Sequence, residues 1–175
     1  MLFSERSIWT MVHGVGLGGG ALVGLGAAMF YLYAVRTRES AVTDREASRY
    51  ATLTVFTVTM LWLAVIGGTY VVFPPYRAAP PAGAADLAQY PRALILANPG
   101  TAWLHAFAME TKEHVPWIAS MLATAVAFVA VRYRAAAIVD SALRKASMTL
   151  LAIAFALVAY VSLLGVFVNK VAPLH

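Results

Sequence analysis

YATLTVFTVTMLWLAVIGGTYVVF, residues 50–73, contains no charged side chain over its whole length. A helix of this length reaches about 36 Å, enough to cross the ~30 Å hydrocarbon core of a bilayer. Lipid offers no hydrogen-bond partners, so a lone apolar segment in it must satisfy its backbone internally, as a helix. Three more stretches meet the same test: 8–35, 112–131 and 148–168. The first and last of these also lack charge. The third begins with Lys112, Glu113 and His114, and its helix is expected to start near residue 100. The reading is therefore all-α: an integral membrane four-helix bundle forming one domain over residues 1–175, with an outer loop at 74–111.

Composition agrees. Hydrophobic residues make up 61% of the chain and charged residues 12%, against about 45–50% and 25% in soluble domains. A water-soluble protein of 175 residues could not hide that much apolar surface. The chain has no cysteine, which excludes disulfides, thiolate metal sites and cysteine nucleophiles. The apolar run 8–35 is much longer than the 7–15-residue core of a signal peptide and is expected to be a retained span.

The formal charge of +5 becomes informative once it is located. The short loops 36–49 and 132–145 hold Arg36, Arg38, Arg45, Arg49, Arg132, Arg134, Arg144 and Lys145, eight of the thirteen basic residues. Clustered between apolar spans, they report orientation rather than phosphate binding, so no nucleic-acid partner is expected. Short basic loops stay in the cytoplasm during insertion, which predicts an N-out/C-out topology with the long loop outside. The Ala- and Arg-rich composition and short basic loops fit a bacterial inner membrane.

In the long loop, Pro74-Pro75 is expected to stop the second helix, and residues 78–83 (AAPPAG) form an extended link. Residues 86–97 (DLAQYPRALILA) carry apolar positions at helical spacing, with Asp86 as a cap and Pro91 as a kink or break. This is either an amphipathic helix in the interface or a loop packed on the bundle. Asn98 or Thr101 caps the next helix, and Pro116 predicts a kink within it.

Gly14, Gly16, Gly18, Gly20 and Gly24 superficially resemble a phosphate-binding loop, but that motif needs a preceding strand and an aqueous site. Inside a charge-free span, glycines four apart instead form stripes that let a helix or a flat ligand approach the backbone. The histidines His13, His105, His114 and His175 all fall at the predicted outer end, where ionisable groups within spans usually face the protein interior. His13 and His114, on parallel helices, are the minimum set for a six-coordinate haem b. Gly14 and Gly16 would admit a porphyrin edge, and Arg77 and Lys112 would pair with its propionates. A quinone or a lipid headgroup is the other candidate ligand, and a protein without any cofactor is a further reading.

Residues 105–117 (HAFAMETKEHVPW) divide at 100° per residue into two faces. One holds Glu110, Glu113, His114 and Trp117, as a proton relay or an ion-pair cluster would need. The other holds His105, Met109, Lys112 and Pro116, and its imidazole with a thioether suits copper. Metal candidates are thus His13, His114, His105 and Met109. Trp9, Trp103, Trp117, Tyr70, Tyr76 and Tyr90 read as interfacial anchors, and Trp62 as mid-span packing. No hydrolase motif is present, and the centres of the spans lack the charges of an ion-coupled transporter. Two functions remain. One is a small, non-catalytic subunit of a respiratory or photosynthetic electron-transfer complex with a polar site at the outer leaflet. The other is a cofactor-free accessory subunit stabilising a larger membrane assembly. Both imply membrane lipids and other membrane subunits as partners.

Overall fold

The computed structural model describes residues 3–36 and 41–173, with only the backbone of Arg36. Arg38 and His175 lie outside the described residues. The described chain is helical and has no strand. Four helices are long and apolar enough to cross a membrane: α1 (Glu5–Val35), α2 (Asp44–Arg77), α4 (Pro99–Tyr133) and α6 (Ser141–Val171). The protein is a multi-pass membrane protein by this measure. Two short helices complete it, α3 (Pro91–Leu96) in the long loop and α5 (Ala135–Val139) between α4 and α6.

Local chemistry sets the helix starts. Ser4 accepts from the Ser7 amide at the head of α1. Thr43 and Glu46 form a reciprocal capping box at α2, with the Thr43 amide donating to Glu46 Oε2 at 2.9 Å. Asp140 Oδ1 accepts from the Ala142 and Leu143 amides at α6. Asn98 rather than Thr101 caps α4, accepting from the Gly100 amide at 2.8 Å. The Thr101 hydroxyl instead donates to the Ile95 carbonyl and ties α4 to α3.

Neighbouring helices pack antiparallel, as the α1–α2 contacts show. Gly24 lies against Thr57, Gly20 against Met60 and His13 against Gly68, so positions rise on one helix as they fall on the other. Ala21, Leu25, Ala28 and Leu32 of α1 share one apolar core with Tyr50 and Leu61 of α2, Ala119, Ala123, Val126 and Ala130 of α4, and Leu151, Ala154 and Val158 of α6. Alanines in this list bring backbones close, which favours dispersion contacts where no hydrophobic effect drives association.

The end that carries the long loop differs from the other. There, three helices widen into turns with the i→i+5 pattern: Val12–Gly19 in α1, Gly68–Val72 in α2 and Leu104–Met109 in α4. The wide turn of α2 explains why Pro74-Pro75 does not stop the helix as expected. It resets the register, so both prolines fall in the first turn of the segment Phe73–Arg77. A missing N–H is harmless at that position.

The helix expected over 86–97 is likewise shorter, because Pro91 sits at its first position and begins it. Asp86 caps a turn, accepting from the Ala88 amide. Ile95 is fully buried with Tyr76, Leu104, Met109, Leu164 and Val168 in a second apolar cluster, so the loop is packed onto the long helices.

Candidate functional site

Two polar groups lie inside the loop-bearing end, each facing a glycine on another helix. His13, in the wide turn of α1, presses its ring on α2 so closely that a Cβ at Gly68 would meet Cε1 at 2.7 Å. Its Nδ1 is buried with no hydrogen-bond partner. The Ala64 carbonyl and the Lys112 ammonium are polar groups that act on the ring. Lys112 was expected to pair with a haem propionate at the outer end. Instead its side chain crosses to α6, where a Cβ at Gly165 would meet Nζ at 2.9 Å. Pro116 adds a further polar group here: having no N–H, it leaves the Lys112 carbonyl without its usual helical donor. Burying an unpaired ammonium or imidazole in lipid is costly, and such residues mark ligand or ion sites by default.

A recess of about 240 Å³ opens one turn further along the α1–α2 seam, lined by Glu5, Arg6, Trp9, Val71, Val72 and Pro75. Trp9 precedes His13 by four residues and Val72 follows Gly68 by four. The recess therefore lies on the loop side of the His13–Gly68 contact.

A second cluster caps the same end. Tyr76, only 4% exposed, places its hydroxyl 3.1 Å from His105 Nδ1, and Arg92 donates from Nε to His105 Nε2 at 3.2 Å. Because Nε2 accepts from a guanidinium, the proton of a neutral ring resides on Nδ1 and is donated to the Tyr76 oxygen. Three segments are thus joined through one imidazole. The charges of Arg92, Glu113 and Glu110 all act on Tyr76. Tyr76 was expected as an interfacial anchor; it is a buried hub because the wide turn of α2 rotates it inward.

Of the two faces read from residues 105–117, Glu110, His114 and Trp117 are exposed and Glu113 partly buried, while Met109 is buried and His105, Lys112 and Pro116 are partly buried. His114 is not brought to His13: it is exposed, and its Nδ1 bonds the Glu110 carbonyl of its own helix at 2.8 Å. His105 does not meet Met109 through a free nitrogen, since Tyr76 and Arg92 engage both. Among the described residues, no group of three or more His, Asp or Glu is placed to hold a metal ion. Arg77 stacks over the Phe73 ring at 5.2 Å.

Gly14 and Gly16 have nothing within 4 Å of where a Cβ would stand, so they lie on an open outer surface. Gly20 and Gly24 do the packing. Trp9, Trp103, Trp117 and Tyr70 are exposed. Trp62 bridges helices, donating from Nε1 to Thr124 at 3.1 Å and meeting Trp117 edge-on.

Sequence reading missed the Gly68–His13 and Gly165–Lys112 pairings and the Tyr76–His105–Arg92 hub. The available signal was His13, the one ionisable residue of its span apart from tyrosines, and the glycines Gly67, Gly68 and Gly165 late in two others. Set against known proteins, the chain matches no family model, no curated protein and no solved structure.

Proposed function

We propose that the protein is a small, non-catalytic subunit of a bacterial inner-membrane electron-transfer complex. In this reading it is a four-helix transmembrane bundle with both termini and the long loop outside, and it binds a quinone headgroup at that outer end. The concentration of arginines in the loops at the opposite end supports the orientation.

The observation that carries the ligand is the buried Nδ1 of His13, which has only the Ala64 carbonyl near the ring and no well-aligned hydrogen bond, together with the inward-turned Lys112. Both can donate a hydrogen bond, neither has an acidic partner among the described residues, and a quinone supplies two carbonyl acceptors. Donors aimed at a quinone oxygen bind it more strongly as electrons arrive and negative charge develops there. The recess of about 240 Å³ lies below the ~300–1,000 Å³ of sites for whole drug-sized ligands. It suits a single ring better than a porphyrin, so quinone is preferred to haem b ligated by His13 and His114.

Trp9 lines the recess and serves as the reporter. Adding a short-tailed quinone to the detergent-solubilised protein is expected to quench tryptophan fluorescence saturably, with the effect lost in His13→Ala. A linear, unsaturable quench, the same in the variant, refutes the reading. A reducible Soret band in the purified protein would return haem b as the ligand.

A second reading, a cofactor-free accessory subunit, is favoured by Gly14 and Gly16. Their bare backbone on the outer surface, beside Val15 at 76% exposure, is the kind of surface against which a partner helix packs in lipid. Loss of copurifying subunits from Gly14→Leu and Gly16→Leu would support it.

A further inference from the structure

At the end of the molecule away from the long loop, α2 begins beside a surface recess of about 470 Å³, lined by Arg45, Ser48, Arg49, Thr52, Leu53 and Phe56. Their spacing places them along one helical face in graded order. Arg45, Ser48 and Arg49 come first, then Thr52, then Leu53 and a Phe56 that is 54% exposed. A third guanidinium closes on the same face: Arg134 Nη2 donates to Ser48 Oγ at 2.7 Å. Arg134 stands at the turn between α4 and α5 with φ +52°, the one positive φ among described non-glycine residues.

Two neighbouring acids, Glu46 and Asp140, are engaged by groups outside the recess. Glu46 Oε2 is held by the Thr43 amide and hydroxyl, and Asp140 Oδ1 by two amides of α6. Arg144 donates to the Ile138 and Val139 carbonyls and takes no acid away. Among the described residues, Arg45, Arg49 and Arg134 form no ion pair. A solvated basic patch would need neither a recess nor an apolar floor. A soluble anion would use the guanidiniums and leave Leu53 and Phe56 idle.

We propose that this recess is a binding site for one anionic phospholipid. Its phosphate sits between Arg45 and Arg49, Thr52 contacts the glycerol oxygens, and an acyl chain lies along Leu53 and Phe56, while Ser48, donating to the Asp44 carbonyl, holds Arg134 in place. Guanidiniums bind phosphate through paired N–H donors, and basic pockets beside transmembrane helices take anionic headgroups. The site is independent of the quinone reading, since it lies at the opposite end and uses none of the same residues.

Native mass spectrometry of the full chain, delipidated in detergent and titrated with phosphatidylglycerol or phosphatidylcholine, tests the site. One phosphatidylglycerol is expected to be retained preferentially. Each arginine near a membrane surface contributes an attraction equivalent to about fivefold in affinity, so R45Q/R49Q is expected to weaken retention about 25-fold. R132Q/K145Q removes the same charge from the other loop and is expected to change it less than twofold.

Thr52→Trp fills the recess without touching charge and is expected to expel the lipid. It decides the matter if R45Q/R49Q cannot be recovered folded. Equal retention of phosphatidylcholine, equal loss in R132Q/K145Q, unchanged binding in Thr52→Trp, or full competition by inorganic phosphate at matched concentration would each overturn the proposal.

Discussion

Gly24→Ala puts the α1–α2 contact under direct test. A Cβ at Gly24 would overlap Thr57 Oγ1 and stand 3.1 Å from both Thr57 Cβ and Cγ2. Thr57 cannot simply rotate aside. It is 2% exposed, and its hydroxyl donates to the Leu53 carbonyl at 2.8 Å, which fixes its rotamer. The helices must therefore separate.

Overpacking of this kind costs about 1–3 kcal/mol, and replacing glycine by alanine in a helix returns about 1 kcal/mol. The net expectation is a loss of up to about 2 kcal/mol. Gly16→Ala meets open space and is expected to gain up to about 1 kcal/mol, so the two substitutions should differ by the overpacking cost, about 1–3 kcal/mol. Equilibrium unfolding in mixed micelles with increasing SDS, followed by circular dichroism, measures this difference. In a double-mutant cycle, Thr57→Ala should relieve Gly24→Ala by about 1 kcal/mol or more. Equal stability of the two glycine variants, or a cycle showing no coupling, would refute the packing described for α1 on α2.

Gly68→Ala should cost about 1 kcal/mol more than Gly165→Ala on the same SDS scale. The imidazole of His13 sits close to its own backbone and is confined, whereas Lys112 meets Gly165 only with the far end of a flexible chain. Ile95→Ala, at a fully buried position, is expected to lose about 2–5 kcal/mol of local docking energy; limited proteolysis should then cut the 78–84 link faster while the long helices stay protected. Arg134→Gly relieves about 1–3 kcal/mol of backbone strain and loses one exposed hydrogen bond worth about 0.5–1.5 kcal/mol, for a net gain of about 1 kcal/mol in SDS resistance.

The four spans were legible because length and absence of charge suffice to identify a crossing helix, and both survive in the structure with only their ends extended. The exposure of Glu110 and His114 was legible for a similar reason: they stand four residues apart in the regular part of α4 and turn outward together. Lys112 was misjudged because periodicity gives a direction around the axis and says nothing of what stands opposite. The partner that makes room for it, Gly165, is more than fifty positions away. Pro74 and Pro75 were misjudged because a proline's effect depends on its place within a turn, and the wide turn Gly68–Val72 that decides this place carries no local sequence signature. Tyr76 and Arg92 meet at His105 across the loop, a contact that no spacing along the chain encodes.

The widened turns at the loop-bearing end each hold one more residue than an ordinary helical turn would. Deleting a single residue from one of them should close it to regular α geometry and swing everything beyond it by about 100°. Such a deletion at Val15 would turn the first ten residues of α1, His13 included, as a knob turns on a fixed spindle, while Gly20 and Gly24 stayed seated on α2. The polar end can therefore be re-aimed one notch at a time without disturbing the apolar shaft beneath it, a freedom that the alanine-lined opposite half, built from unbroken α-helix in all four described spans, does not share.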